Sequence, residues 1–333
     1  PTTLKSSLTI AGERDKDYRR ENQVSEQLVG EGFNEILNNS LSKQSYYEGD
    51  TYNYYPWART VKVMNPLSSD LGVMRQTLLF GGLESIVRNV NRKARNLRFF
   101  EVGNVYTYNQ ECYTLNSPIK AYSQRYHLAL WVTGNHIEGS WAHVDEKTSF
   151  FELKAYVENI LRRVGVNSSQ LLSEDSDNNI FDKGIQLKSH GGKLLVDMGI
   201  VNHHVLRRFD IEQPVYYAEL DWTELMKLTH KNTLLYHELS KFPSVSRDLA
   251  LLVDANVEFA QIEQIARQTE KKLLKQVVLF DVYEGKNLPE GKKSYAVNFI
   301  LQDENRTLTD KAIEAIMQKL VKNLTEKLHA VLR

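Results

Sequence analysis

Asp281 and Ser294 lie in two segments, 277–283 and 294–301, whose apolar and polar residues alternate as in β-strands. Alternation puts Phe280 and Val282 on one face and Asp281 and Tyr283 on the other. In the second segment Tyr295, Val297 and Phe299 oppose Ser294, Ala296 and Asn298. With the apolar sets turned inward, a carboxylate and a hydroxyl stand on the open face. Together they can accept two N–H donors and supply one O–H, the complement of guanine's Watson–Crick edge, which proteins reach in single-stranded loops. An exposed carboxylate repels phosphate, so the chemistry is base reading rather than backbone binding. The plainer account makes Asp281 an ion-pair partner of Lys292 or Lys293.

Other reactive residues promise less. His203 and His204 are adjacent, and on a strand they would point to opposite faces. The pairs His136/His143 and His230/His237 lack the i, i+4 spacing of a helical chelate and have no cysteine nearby, so metal binding is not expected. The run from Arg88 to Arg98 is broken by Asn and apolar residues and reads as a solvated helix end, with phosphate contact as the competing account. There is no phosphate-binding glycine loop and no nucleophile elbow.

The elements that must carry these residues follow from periodicity. Helices are expected at 17–32, at 79–90 with a stripe of Leu79, Leu83, Ile86, Val87 and Val90, and at 150–164 with Leu153, Val157, Ile160, Leu161 and Val164. Strands are expected at 99–108, 127–133, 194–201 and 215–220, and short strands with a turn in the Tyr-rich stretch 46–64. After a boundary near 239–243 the order is strand 248–253, helix 258–274, strands 277–283 and 294–301, helix 309–328 and a short tail, the βαββαβ order of a ferredoxin-like unit. The fold class is therefore α+β: a largely antiparallel sheet with flanking helices over 1–238, then a ferredoxin-like domain over 239–333.

Composition bounds the function classes. The 333 residues carry 42 Lys plus Arg against 42 Asp plus Glu, which excludes a surface that binds polyanions everywhere and leaves room for a local site. Hydrophobic residues at 41% suffice for a core, and no run approaches the ~20 apolar residues of a membrane span. The single cysteine, Cys112, fits a reducing compartment, and the cytoplasm is the expected location. Because the chain opens on Pro1, it is expected to be a piece of a longer polypeptide.

Four phrases, Phe242-Pro243-Ser244-Val245-Ser246-Arg247-Asp248-Leu249-Ala250, Leu279-Phe280-Asp281-Val282-Tyr283, Gly291-Lys292-Lys293-Ser294 and Arg306-Thr307-Leu308-Thr309-Asp310, resemble in order and spacing the ferredoxin-fold anticodon-binding domain of bacterial phenylalanyl-tRNA synthetase β subunits. Upstream, Tyr18-Arg19-Arg20-Glu21-Asn22, Asn65-Pro66-Leu67-Ser68-Ser69-Asp70, Met74-Arg75, Phe100-Glu101-Val102-Gly103-Asn104-Val105-Tyr106 and Phe151-Glu152-Leu153-Lys154 resemble the same subunit's catalytic-like, class II synthetase-like domain. The family's editing domain and its carboxylate-rich Mg²⁺ site are expected before Pro1.

The resemblance implies that Ser246, Asp281 and Ser294 read the first anticodon guanine. It implies an α₂β₂ heterotetramer with the α subunit, with tRNA held across the assembly. Catalysis is not expected here: Thr107 follows Tyr106 where class II enzymes place an Arg, and no Gly-rich motif ending in Arg occurs between Leu187 and Leu228. ATP and Mg²⁺ are then used by the assembled ligase, with no cofactor in this chain. Arg247 beside Asp248 is expected to form a local ion pair. The alternative is a stand-alone RNA-binding regulator on the ferredoxin-like scaffold.

Overall fold

The computed structural model describes residues 12–48, 53–167, 170–229, 238–285 and 288–333. They form two compact units, Pro1–Leu234 and Leu235–Arg333.

In chain order the first unit contains α1 (Glu13–Gly30), β1 (Asn34–Glu35), β2 (Leu41–Ser42), β3 (Val73–Met74), α2 (Leu79–Val90), β4 (Leu97–Tyr108), β5 (Tyr122–Thr133), β6 (Asn135–Ile137) and β7 (Glu146–Lys147). It continues with α3 (Phe150–Arg163), β8 (Leu171–Asp175), β9 (Phe181–Ser189), β10 (Leu194–Val201), α4 (His203–Arg207), β11 (Val215–Asp221) and α5 (Trp222–Thr229). Seven strands make one sheet in the order β1-β4-β5-β11-β10-β9-β8, antiparallel except where β1 pairs with β4. β2/β3 and β6/β7 are small separate pairs.

The run Leu128–Val132 in β5 is apolar without a break because both faces of the sheet are covered. Leu128, Leu130 and Val132 pack with Val24 and Leu28 of α1, with Leu153, Val157 and Ile160 of α3, and with Leu225 of α5. Ala129 and Trp131 face the other way, onto Leu79, Phe80, Leu83 and Ile86 of α2 and onto Tyr47 and Tyr55. α2 comes this close because Gly82 has no side chain: a Cβ there would lie 2.1 Å from Cε2 of Trp131. α3 starts at Ser149, whose hydroxyl accepts the Glu152 backbone N–H at 3.4 Å.

Several expectations shift. The Tyr-rich stretch makes 3₁₀ turns at Gln44–Tyr46 and Trp57–Arg59, its end pairs in extended form through an antiparallel bridge between Lys62 and Val73, and residues 49–52 lie outside the described residues. His203 and His204 sit in α4, not on a strand, with ring centroids 3.8 Å apart. β8, β9 and α5 have no counterpart among the expected elements.

The second unit is β12 (Val245–Asp254), α6 (Phe259–Thr269), β13 (Leu274–Tyr283), β14 (Lys292–Leu301), α7 (Asp310–Leu328) and β15 (Val331–Leu332), with sheet order β13-β14-β12-β15. The tail thus closes the sheet as a fourth strand. α6 stops at Thr269, five residues before the expected end, because Glu270 turns extended and Leu274 is needed in the core as the first residue of β13. Ile262, Ile265 and Ala266 of α6 and Ile313, Leu320 and Leu324 of α7 bury one sheet face through Leu251, Val253, Val277, Tyr295, Val297 and Phe299.

The β13–β14 ladder is irregular between Leu279 and Asp281. Leu279 pairs with Val297 and Asp281 with Ala296, so Phe280 is an extra, bulged residue. Asp281 has the same parity as the core residues Val277 and Leu279, and the bulge turns it outward. Phe280 follows it: the ring expected on the core side is 59% exposed.

Candidate nucleic-acid interface

The open face of the second unit is organised in rows that cross the strands. Tyr283, Ser294, Leu252 and Val331 form one row. Asp281, Ala296 and Ala250 form the next, and it ends at Arg333, whose N–H donates to Ala250 O at 3.0 Å. Asn298 and Asp248 lie in the third row, Ser246 and Ile300 in the fourth.

Asp281 and Ser294 are therefore diagonal neighbours, about 7–8 Å apart by strand geometry. Ser246 is two rows and two strands from Asp281, about 16 Å away. The three share a face without converging on one base. Ser246 is exposed, and its hydroxyl accepts the Asn298 side-chain amide, which also donates to Asp248. Ser294 is only 7% exposed, so the hydroxyl expected on open ground is covered.

The plainer account of Asp281 does not describe the geometry. Lys292 Nζ lies 2.7 Å from Asp254, and Lys293 Nζ sits over the Tyr295 ring at 4.9 Å, so neither lysine pairs with the exposed Asp281 carboxylate. Arg247 pairs with Asp310 at 4.0 Å and donates to Ser246 O, so its ion pair is not with the adjacent Asp248.

In the first unit, the richest polar chemistry is a row across the large sheet: Glu101, Ala129, Glu219, Asp197 and Gln186. Glu101 is fully buried and takes Arg75 Nη1 at 2.6 Å and Asn38 Nδ2 at 2.7 Å. Glu219 accepts the hydroxyls of Thr77 and Tyr217, each at 2.6 Å, and faces His127 Nδ1 at 2.7 Å. Burial pushes the Glu219 carboxyl up, but the hydrogen bond and charge of His127 with the two hydroxyls outweigh it and hold the carboxyl below its usual value. Asp197 accepts from Ser176 at 2.8 Å and Asn178 at 3.1 Å, yet burial keeps its carboxyl above the usual range. The row is satisfied by the chain's own donors. Among the described residues no group of three or more His, Cys, Asp or Glu could hold a metal ion. His230 and His237 lie outside the described residues.

The basic run does not make one surface. Arg88 pairs with Glu84 on α2, and Arg98, in β4, donates to Glu152 at 3.3 Å and lies 3.1 Å from His136 Nδ1.

Residues 1–222 match the family model described as the phenylalanyl tRNA synthetase beta chain CLM domain, and residues 240–333 match the ferredoxin-fold anticodon binding domain. The chain belongs to the phenylalanyl-tRNA synthetase β-chain family. It is 55% identical over 333 residues to the phenylalanine–tRNA ligase β subunit of Bacteroides fragilis and 56% identical to that of Bacteroides thetaiotaomicron. In both cases all of this chain aligns, and it spans 40% of the relative's length. A pyrrolysyl-tRNA synthetase from Desulfitobacterium hafniense aligns with 66% of this chain and 74% of its own, at 15% identity and TM-score 0.48.

For this β-chain family member, sequence reasoning missed the floor and the rim of the open face. Ala250 and Ala296 form a low shelf between Asp281 and Arg333, and the exposed rings of Phe280 and Tyr283 stand at one end. The Arg333 guanidinium lies 5.7 Å from the Tyr283 ring centroid. One signal was present: a carboxylate at the parity of core residues Val277 and Leu279 requires a bulge.

Proposed function

We propose that the chain is a non-catalytic portion of a phenylalanine–tRNA ligase in the cytoplasm, whose second unit reads the tRNA anticodon. The carrying observation is that Asp281 and Ser294 are diagonal neighbours on the helix-free face of a domain matched to anticodon-binding relatives. Guanine N1–H and N2–H donate to the Asp281 carboxylate, and O6 accepts from the Ser294 hydroxyl. Ser246, further along the face, contacts the neighbouring nucleotide. The two alanines let the base lie close to the sheet, and Tyr283 offers a ring for stacking.

The first unit acts as a scaffold for the catalytic α subunit in an α₂β₂ assembly, and ATP and Mg²⁺ are used there. The saturation of Glu101, Glu219 and Asp197 by internal donors supports this division, because a carboxylate committed to fixed protein hydrogen bonds is not free to hold a metal–nucleotide complex.

The test is Asp281→Asn in the ligase assembled with α. An amide at this position offers one acceptor where two N–H groups arrive, worth about 1–3 kcal/mol of discrimination. Aminoacylation of cognate tRNA is expected to fall about tenfold or more in kcat/KM, while phenylalanine-dependent ATP–pyrophosphate exchange stays unchanged. Equal loss in both assays would remove the anticodon assignment. Exchange by this chain without α would remove the scaffold assignment.

A further inference from the structure

Arg333 reaches across the open face to a residue three strands away in the order β13-β14-β12-β15. Its backbone continues the β12–β15 pairing one residue past Leu332, which puts its side chain on the same face as Val331. Three strand spacings are about 14 Å, so the guanidinium meets the Tyr283 ring only by lying back over the sheet. The line from Arg333 to that ring runs over the row of Leu252 and Ser294, and Ser294 is 7% exposed on a face without helices. Two other cations of this domain among the described residues are engaged elsewhere: Lys292 by Asp254 and Arg247 by Asp310.

The row Asp281–Ala296–Ala250–Arg333 thus runs from a carboxylate over two methyl groups to the backbone of an arginine whose guanidinium lies back toward Tyr283. A nucleotide has the matching polarity, with N–H donors on the base edge and a negative phosphate on its other side. A carboxylate that reads a base also repels that phosphate, and a guanidinium anchored at the far end of the row and turned to the phosphate offsets the repulsion.

We propose that Arg333 is an RNA-contact residue of the anticodon site that holds the slot in the RNA-free state. It covers Tyr283 and Ser294 until a base arrives; the base then takes the ring, and the guanidinium turns to the adjoining phosphate. A solvent-exposed cation–π contact is exchanged for a charge-assisted hydrogen bond. The contact carries no sequence information, because phosphate is the same beside every base. The inference rests on the anticodon reading given above.

The experiment measures binding of two anticodon stem-loop RNAs, with guanine or adenine at the first anticodon position, to the 333-residue chain over a range of salt concentrations. Arg333→Ala is expected to weaken both RNAs by the same factor, about fivefold to tenfold, and to lower the slope of log K against log salt by about 0.7. Arg333→Lys is expected to keep the slope. Asp281→Asn is expected to remove the preference for guanine and leave the slope in place. If guanine preference depends on Asp281 while Arg333→Ala changes neither affinity nor slope, or tightens binding, the Arg333 assignment alone fails. If the unaltered chain shows no guanine preference, the anticodon reading fails and takes this assignment with it.

Discussion

Asp281 lies opposite Ala296, where an unbroken ladder from the Leu279–Val297 pair would have set it opposite Tyr295, in the core. The bulge at Phe280 keeps the Asp281 carboxylate on the open face and out of the core. The bulge is therefore part of the proposed site although Phe280 need not touch RNA.

Deleting Phe280 removes the extra residue and leaves a regular ladder in which Asp281 follows Leu279, pairs with Ala296 and stays on the open face, as does Tyr283 opposite Ser294. Urea unfolding of the deletion is expected to change stability by less than about 1 kcal/mol, because no core side chain changes face and Asp281 stays exposed. Phe280→Ala keeps the residue count and, at an exposed position, is expected to change stability by less than about 1 kcal/mol. A loss of several kcal/mol on deletion, with Phe280→Ala unaffected, would contradict the placement of Phe280 as the extra residue.

Gly82→Ala reverses the usual helix rule. Alanine normally stabilises a helix interior by about 1 kcal/mol over glycine. Here its Cβ would meet the fully buried indole of Trp131 at 2.1 Å, and overpacking costs about 1–3 kcal/mol. The overpacking term wins, and the denaturation midpoint is expected to fall. A rise would show that α2 can lift from the sheet at no cost.

Glu219 makes part of the fold's stability pH-dependent. Its folded carboxyl titrates below the ordinary value of 4.5, so the unfolded chain takes up a proton first as pH falls. Its contribution is complete above the unfolded value and drains as pH drops through the folded one. Glu219→Gln is expected to lower the melting temperature at pH 7 and to flatten the decline of melting temperature between about pH 5 and 3. An unchanged acid decline in the variant would mean that other carboxyls carry it.

The open face was legible in sequence to the extent that parity and short-range pattern decide it. Tyr295, Val297 and Phe299 do face the helices, and Ser294 and Ala296 do oppose them. β13 misled at Phe280 because its apolar character suits the core and period-two reading has no place for an added residue. β8 and β9 escaped because Ser173, Glu174, Asp175, Asp182 and Lys183 give an irregular polar pattern at a sheet edge, where burial does not enforce alternation. The coupling of Glu219, Asp197 and Glu101 could not be read from spacing, since their neighbourhood is set by strand order across residues 101 to 219. Arg333 was invisible for the same reason: its partner ring lies fifty positions away in sequence and three strands away in space.

The pairing of β15 with β12 has a consequence for synthesis on the ribosome. β12 is an inner strand whose second neighbour, Val331–Leu332, emerges some eighty residues after it. Until those residues appear, one edge of β12 stays open, and the row that ends at Arg333 has no cationic end. A chain interrupted before them would carry the Asp281 carboxylate without that counter-charge, so translation has to run through Arg333 before the proposed anticodon face has both its poles.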